Sequence, residues 1–336
     1  MIRIGIICPS EIAERRFLPA LKTLNKFHFA GVAIANLSEW QDATPDMLSN
    51  ELGKAQRICE KFGGKVFDSY QNIIDSPDID AIYLPLPPAL HYIWAKKALM
   101  AGKHVLIEKP ATIKLAETVE LIKIAKEKEL VMHENYMFVY HHQLESITEI
   151  VKSGKIGDVR LYRLAFGFPR RLPNDFRYNK KLGGGALLDA GVYSLKYASM
   201  LLGKSAKLAY AQANYIDDFD VDISGSAALV NNEGTVVQIG FGMDNSYKCD
   251  LEVWGSKGSL FTGRVITAPV GFSPELIIKT ANNVETINLP ADDSFSKSIN
   301  CFYQCINNDK MRIEHYNEIF YHANLVQDFM IKSNMI

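Results

Sequence analysis

A regular alternation of two hydrophobic patterns over the first ~150 residues most constrains what this chain can fold into. The strand-like runs are "IRIGII", "FAGVAIA", "DAIYLPLP", "HVLIE" and "LVMHE", and segments with helical spacing such as "LAETVELIKIAKEKE" separate them. Strands and helices in repeated alternation predict a parallel sheet with helices on both faces. We therefore expect residues 1–135 to form a doubly wound α/β domain.

The pattern changes after Gly157, where strand-like segments follow one another with no helical segment between most of them. They read "DVRLYRLAFGF", "AKLAYAQANYI", "ISGSAALV", "TVVQIGFGM", "YKCDLEVWG" and "GSLFTG", and "NNEG" supplies hairpin-turn residues. This succession predicts an α+β domain over residues 136–336 with a large, mostly antiparallel sheet. The last ~40 residues return to a helical pattern and are candidates to pack back on the first domain.

Length and charge exclude several function classes. A chain of 336 residues suffices for two domains, and 37 basic against 38 acidic residues give a net charge of -1, with no cationic field for nucleic acid. The chain has no signal-peptide pattern and no apolar run near the ~18 residues of a membrane span. Its five cysteines are scattered and odd in number, so we expect neither disulfides nor a metal site in a cytoplasmic protein.

The first strand-to-helix loop corresponds to the Rossmann fingerprint without its glycines. The three glycine positions fall on Cys8, Ser10 and Ala13. Ser10 can donate to a phosphate oxygen and can cap the following helix, whose N-terminus favours an anion. A strand-to-helix connection without any ligand explains this loop equally well. The candidate cofactor residues here are Pro9, Ser10, Glu11, Ile12 and Ala13.

The end of the second strand bears on the choice between NAD and NADP. An acidic residue there would bind the ribose hydroxyls of NAD, but the sequence has Asn36 and, two residues later, Ser38. Arg15 and Arg16 on the first helix can reach a 2′-phosphate, so NADP(H) is favoured over NAD(H); an ordinary solvated helix face is the alternative. The segment 39–50, "EWQDATPDMLSN", borders the expected ribose site and leaves that choice open.

Four sequence blocks make the predicted function more specific. The chain resembles the glucose-fructose oxidoreductase / inositol dehydrogenase (Gfo/Idh/MocA) family of NAD(P)-dependent sugar oxidoreductases almost from end to end. The resemblance rests on "YLPLPPALHYIWAKKALMAGKHVLIEKP", "GKIGDVRLYRLAFGFP", "NDFRYNKKLGGGALLDAGVYSLKYASMLLG" and "DNSYKCDLEVWGSKGSL". The last two blocks are most similar to the branch that reduces a 3-keto group on nucleotide-linked deoxysugars.

The resemblance implies roles for individual residues. Lys109, in the Glu-Lys-Pro motif, would lie between nicotinamide and substrate, and Asp189 and Tyr193 match the acidic and proton-donating positions after the glycine triplet. Arg177 is a candidate for a cofactor or substrate phosphate, with a surface salt bridge as the alternative. The further cofactor-contacting candidates are Leu84, Leu86, Pro87, His91 and Glu108.

These residue types suit hydride transfer. Asp189 and Tyr193 are four residues apart at the start of a helical pattern, which places both on one face, and Lys109 ends a parallel strand where such sheets bind ligands. Reduction of a ketone leaves negative charge on oxygen, so the site needs a positioned acid and a nearby cation. We expect the three side chains to converge at the domain boundary, with Asp189 holding Lys109 charged or orienting a sugar hydroxyl.

Three functions remain to be weighed. The leading hypothesis is an NADPH-dependent reductase of a nucleotide-linked keto-sugar, with Tyr193 as proton donor. The second is a dehydrogenase of a free sugar or cyclic polyol, of the inositol or dihydrodiol type, because the same residues serve both directions. The third is a cofactor-binding regulator without turnover, against which the retention of Lys109, Asp189 and Tyr193 argues.

Two smaller expectations concern surfaces. Alternating apolar residues of the second domain, namely Leu251, Val253, Phe241 and Trp254, predict a homodimer or homotetramer through an open face of the sheet. The adjacent His141 and His142 are expected at a helix surface without a chemical role.

Overall fold

The computed structural model describes all residues, 1–336, and the chain divides into two compact units. The first unit comprises Met1–Asn135 and Phe295–Phe320, and the second comprises Tyr136–Ser294 and Tyr321–Ile336. Both units are therefore built from two separate stretches of the chain. None of the helices combines the length and apolarity that crossing a membrane requires.

The first unit contains a six-stranded, wholly parallel sheet in the order β3-β2-β1-β4-β5-β6. Its strands are β1 Ile2–Ile7, β2 Phe27–Ala33, β3 Lys65–Phe67, β4 Ala81–Leu84, β5 His104–Ile107 and β6 Met132–Glu134. Its helices are α1 Leu18–Lys22, α2 Pro45–Phe62, α3 Tyr70–Asp75, α4 Pro88–Met100 and α5 Leu115–Glu127. The predicted Rossmann-type sheet is confirmed. The sequence pattern missed β3, because three residues are too few to show an alternation.

The second unit contains an eight-stranded sheet in the order β14-β13-β12-β11-β7-β10-β9-β8. Its strands are β7 Val159–Gly167, β8 Lys207–Asn214, β9 Ser224–Val230, β10 Val236–Gly242, β11 Lys248–Gly255, β12 Gly258–Gly263, β13 Glu275–Thr280 and β14 Asn283–Asn288. Neighbours are antiparallel except for β7 and β10, which run parallel, so the predicted mixed architecture is confirmed. The edge strands β13 and β14 were not predicted.

Four further helices complete the two units. They are α6 Gln143–Lys152, α7 Val192–Leu202, α8 Ser294–Asn307 and α9 Asp309–Lys332. Helix α7 packs on strands β7 and β10, and so covers one face of the eight-stranded sheet. Helix α9 supplies residues to both units, because the division falls between Phe320 and Tyr321.

The open face of the large sheet does not carry most of the residues predicted to form the oligomer interface. Leu251, Val253 and Phe241 are buried, on the side of the sheet that faces its own helices. Alternation along a strand reveals two faces but does not say which one is covered. Only Trp254 of the four predicted residues is on the open side, where 55% of it is exposed.

Candidate active site

The first loop keeps the shape of a glycine turn without a glycine. Cys8 has φ of 77°, in the left-handed region that a glycine adopts at little cost. Its Sγ lies 3.7 Å from Oε2 of Glu51, and burial followed by the charge of Glu51 raises the pKa of the thiol to about 12. Cys8 is thus an inert packing residue, and its backbone supplies the turn.

Ser10 forms the cap expected of it. Its Oγ accepts a hydrogen bond from the amide of Ala13 at 3.2 Å, and its carbonyl accepts from the amide of Glu14 at 3.2 Å. The turn that follows, Ala13–Phe17, is π-helical and leads directly into α1. Arg15, a predicted phosphate ligand, forms an exposed pair with Glu11 at 3.1 Å, an interaction worth little in water.

Asn36 builds the turn after β2. Its Oδ1 accepts from the amide of Ser38 at 2.9 Å, from the Ser38 hydroxyl at 2.7 Å and from the amide of Glu39 at 3.1 Å. The Glu39 carboxylate in turn accepts from three amides, those of Asn36, Tyr70 and Gln71, at 2.9–3.1 Å. Glu39 therefore caps α3 and ties the start of the 39–50 segment to that helix. The sequence analysis missed this role, because the helix that Glu39 caps begins 31 residues later.

Glu108 is held inside the first unit next to Lys109. The hydroxyl of Tyr83 and the amide of Asn135 both donate to its Oε1 at 2.7 Å. Burial raises the pKa of the Glu108 carboxyl, which these two hydrogen bonds oppose. Asn135 itself accepts from the Ser298 hydroxyl at 2.8 Å, so helix α8 supports the loop that carries Lys109.

His91 lies between the segments that follow β4 and β5. Its ring nitrogens lie 2.8 Å from the carbonyl of Pro110 and 2.7 Å from the carbonyl of Leu86, and the side chain is fully buried. Burial lowers its pKa to about 4, and a neutral ring donates to only one of the two carbonyls. His91 therefore links the segments after β4 and β5, and has no exposed atom with which to touch a cofactor.

The glycine triplet opens the helix that carries two predicted catalytic residues. Gly183 and Gly185 have φ of 78° and 115°. A Cβ on Gly185 would lie 2.2 Å from Oδ1 of Asp222, and one on Gly184 would lie 2.4 Å from the carbonyl oxygen of Arg177. Glycines are therefore required in this triplet for two reasons: neighbouring oxygen atoms leave no room for a Cβ, and two of the residues have a positive φ.

Asp222 caps this helix entrance, a role that the sequence analysis missed. Its Oδ2 accepts from the amide of Leu187 at 2.7 Å, and its carbonyl accepts from the amide of Ala186 at 2.8 Å. Burial raises the pKa of the Asp222 carboxyl to about 6, and the hydrogen bond from Leu187 opposes the shift. The sequence contains little indication of this capping role, because Asp222 lies 35 residues after Leu187.

Asp189 is paired with Arg177. Leu187–Gly191 form a π-helical turn that leads into α7, and Oδ2 of Asp189 accepts from Nε of Arg177 at 2.7 Å. Nη1 of Arg177 lies 3.1 Å from Oδ1 of Asp175. Arg177 therefore forms the salt bridge that was one of the two alternatives for it, and two carboxylates around one guanidinium make the local charge less favourable for a phosphate.

Aromatic rings fix the position of Tyr193. Tyr136 and Phe166 meet its ring nearly at right angles, with centroid distances of 5.5 and 5.7 Å, and Phe138 lies at 5.8 Å. Edge-to-face pairs of this kind are favourable and directional. The hydroxyl of Tyr136 lies 2.9 Å from Nε2 of His322. The sequence analysis identified none of these neighbours.

His141 and His142 do not lie where they were expected. His141 is buried, with 2% exposed, and only His142 reaches the surface. With Asp292 they place three potential metal ligands within 4.8 Å of one another. Nδ1 of His141 accepts from the amide of Gln143, which puts the ring proton on Nε2, and Nδ1 of His142 is bonded to Asp292 at 2.9 Å. These hydrogen bonds fix the orientation of both imidazole rings.

The predicted catalytic residues are distributed over both units. Lys109 follows β5 in the first unit and is half-buried, while Asp189 and Tyr193 belong to the second. The convergence of the three stays a prediction.

Comparison with known proteins bears on the whole chain. The oxidoreductase family with an NAD-binding Rossmann fold matches residues 2–136, and the GFO/IDH/MocA C-terminal domain matches residues 144–261. A dTDP-3,4-didehydro-2,6-dideoxy-alpha-D-glucose 3-reductase from Actinomadura kijaniata is 36% identical over 91% of this chain and 87% of its own length. The enzyme of the same name from Streptomyces violaceoruber is 38% identical over 91% and 85%.

A solved structure extends the similarity to the fold. KijD10, a 3-ketoreductase from Actinomadura kijaniata in complex with NADP and TDP-benzene, superposes with a TM-score of 0.90 at 34% identity, covering 98% of this chain and 97% of that one. Two variants of KijD10, one with a tyrosine changed to phenylalanine and one with a lysine changed to alanine, are similar, with TM-scores of 0.90 and 0.87. The two altered positions have the same separation in sequence as Lys109 and Tyr193.

Proposed function

Since the chain belongs to the Gfo/Idh/MocA family of oxidoreductases, we propose that it reduces the 3-keto group of a nucleotide-linked deoxysugar with NADPH. Three relatives that are 35–38% identical to the chain over 90–91% of its length carry the name of this activity. The observation that carries the proposal is the pair Lys109 and Tyr193, whose spacing equals that of the lysine and tyrosine altered in KijD10.

Tyr193 is the proton donor in this proposal. The bound nicotinamide supplies the hydride, which leaves negative charge on the carbonyl oxygen. Tyr193 transfers its hydroxyl proton to that oxygen, and the Lys109 ammonium stabilises the charge while it develops. The ring contacts with Tyr136 and Phe166 hold the phenol in one orientation. Asp189 orients a hydroxyl of the sugar.

The residues of the first unit fit a dinucleotide phosphate. The left-handed Cys8 and the Ser10 cap leave a helix N-terminus beside a turn of the kind that binds pyrophosphate. Ser38 is exposed at the end of the second strand, and Arg15 is held only by a weak exposed pair. The one carboxylate in that turn, Glu39, already accepts hydrogen bonds from three amides, so it is a poor ligand for ribose hydroxyls. These features support NADP(H).

The first experiment is a titration of the protein with NADPH and with NADH, followed by nicotinamide fluorescence. We expect tighter binding of NADPH, and Ser38→Ala together with Arg15→Ala should reduce the preference. A preference for NADH would contradict the assignment of the phosphate site.

The second experiment changes Tyr193 to Phe and measures reduction of a dTDP-linked 3-keto-deoxysugar. We expect turnover to fall by about 10²-fold or more, the usual scale for a general acid, with NADPH binding unchanged. Tyr197→Phe is the matched control, because its ring lies one turn further on α7 and its buried hydroxyl has no partner. Full activity of Tyr193→Phe, or activity only on free sugars or cyclic polyols, would refute the proposal.

We also propose that the chain forms a homodimer through the open face of the eight-stranded sheet. Trp254, Phe261 and Tyr210 are large exposed side chains on outward positions of β11, β12 and β8. Sedimentation should give a dimer that Trp254→Glu converts to a monomer. A wild-type monomer at micromolar concentration would exclude this interface.

A further inference from the structure

Two arginines seven residues apart have nearly the same surroundings. Arg170 pairs with Asp218 at 3.1 Å and Asp244 at 3.0 Å, and its guanidinium lies 5.5 Å from the centre of the Phe219 ring. Arg177 pairs with Asp189 and Asp175, and lies 4.6 Å from the centre of the Phe176 ring. They differ in burial, with 43% of the Arg170 side chain exposed but only 21% of the Arg177 side chain.

Arg177 is attached to the glycine triplet by its backbone as well as by its side chain. Its carbonyl accepts from the amide of Gly185 at 2.9 Å, and its oxygen closes the space above Gly184. Its amide donates to Oδ1 of Asp175 at 3.0 Å, the oxygen that also receives Nη1. The guanidinium therefore has a fixed position relative to the turn that begins the catalytic helix.

The pair between Arg177 and Asp189 has the geometry of a strong, charge-assisted hydrogen bond. The distance is 2.7 Å, and both side chains are largely shielded from water. Burial alone would lower the pKa of the Arg177 guanidinium, but the charges of Asp189 and Asp175 raise it above its usual value. The bond commits one carboxylate oxygen of Asp189, and so sets the direction of the other.

We propose that Arg177 is a positioning residue that holds the Asp189 carboxylate in the orientation needed to receive a hydroxyl of the sugar. This inference rests on the proposed function, since it assigns Arg177 a role through Asp189. A carboxylate on an unsupported side chain would sample several rotamers, and only some of them would meet the substrate. Arg170 makes equivalent pairs but has no partner in the catalytic helix.

The test compares Arg177→Ala with Arg170→Ala in the full-length protein. We expect Arg177→Ala to lower kcat by about 10²-fold with little change in the KM for NADPH, and Arg170→Ala to change kcat less than threefold. Arg177→Lys should recover part of the loss, because an ammonium restores the charge but not the planar fork. Added guanidinium ion at millimolar concentration should raise kcat of Arg177→Ala about tenfold and leave Arg170→Ala unchanged.

A double-mutant cycle separates positioning from a general structural role. If Arg177 acts through Asp189, then Arg177→Ala in an Asp189→Asn background should lower kcat less than twofold. A loss of about tenfold or more in that background would overturn the proposal, as would the absence of guanidinium rescue in a variant with normal urea unfolding.

The outcomes also separate this inference from the proposed function. If the wild-type enzyme turns over only a free sugar, the nucleotide-sugar assignment is refuted. The double-mutant cycle of Arg177 and Asp189 is then measured with that free sugar as the substrate. If the wild type has no turnover, the cycle is run on urea unfolding. Coupling between Arg177→Ala and Asp189→Asn below twofold in the unfolding constant would then overturn the positioning role, because the two side chains would not interact in the folded protein.

Discussion

The turn after β1 and the turn before α7 reach nearly the same φ with different residues. Cys8 has φ of 77° in the first, and Gly183 has φ of 78° in the second. The space around the two turns differs. The thiol of Cys8 packs near Glu51, whereas a Cβ on either of the two glycines after Gly183 would lie less than 2.5 Å from an oxygen.

The comparison shows that a glycine motif records two separate requirements. A left-handed φ costs a non-glycine residue roughly 1–2 kcal/mol, which a stable protein tolerates. A Cβ that overlaps a fixed backbone atom or a buried carboxylate is not tolerated in the same way, because the neighbouring atom cannot move away. The first turn has only the first requirement and contains a cysteine, while the second has both requirements and contains glycines.

Gly185→Ala should give the largest effect and tests this distinction most directly. The substitution adds a Cβ 2.2 Å from Oδ1 of Asp222 at φ of 115°. Overpacking and strain together should lower the free energy of unfolding by about 3–5 kcal/mol. Gly102→Ala is the control, because Gly102 follows α4 with φ of 79° and a Cβ there would have no atom within 4 Å. We expect it to cost about 1–2 kcal/mol in urea unfolding; equal losses at the two sites would break the comparison.

Asp222→Asn should have an effect that depends on pH. The pKa of the Asp222 carboxyl is raised to about 6 in the folded protein, so the folded state favours the protonated form. Its contribution to stability is therefore full below the unfolded pKa near 4 and is lost as pH rises through 6. The loss amounts to roughly 3 kcal/mol at pH 7, counted at 1.36 kcal/mol per pKa unit.

The measurement is the difference in unfolding free energy between Asp222→Asn and the wild type at pH 4.5 and pH 7. Other titrating groups cancel in this difference. It should move in favour of the asparagine variant as the pH rises. A difference that stays constant over this range would show that Asp222 keeps an ordinary pKa in the folded protein.

Cys8→Gly should have the smallest effect on the free energy of unfolding. Compared with Cys8→Ala, it should reverse the usual order of stability, in which alanine is more stable than glycine. Glycine relieves the left-handed strain but loses the packing of the thiol, so we expect a change within about 1 kcal/mol. Cys8→Ala keeps the strain and also loses the thiol, so it should be about 1 kcal/mol less stable than Cys8→Gly. In an ordinary strand or helix alanine is the more stable of the two. If Cys8→Ala were instead more stable than Cys8→Gly, the left-handed φ at position 8 would not be what constrains the residue there.

The sequence predicted the parts of the fold and site that repeat locally. Alternating strand and helix patterns identified both sheets, and Ser10 and the glycine triplet marked two helix entrances. The sequence did not reveal Glu39 or Asp222, because each caps a helix entrance more than thirty residues away along the chain. It also left open whether His91 contacts a cofactor or bonds the backbone, and the hydrogen bonds to Pro110 and Leu86 depend on segments that lie apart in the sequence.

The division of the first unit into two stretches of chain has a consequence for its synthesis. Ser298 donates to Asn135, and the hydroxyl of Tyr316 donates to the carbonyl of Leu130, so α8 and the first half of α9 complete a domain begun at residue 1. At about 5–20 residues per second, roughly 10–40 s pass between the emergence of residue 135 and that of residue 320. During that interval the surface of the nascent sheet that receives these helices is open to chaperones. The order of emergence from the ribosome thus makes the Rossmann domain, although encoded first, one of the last parts of the molecule to close.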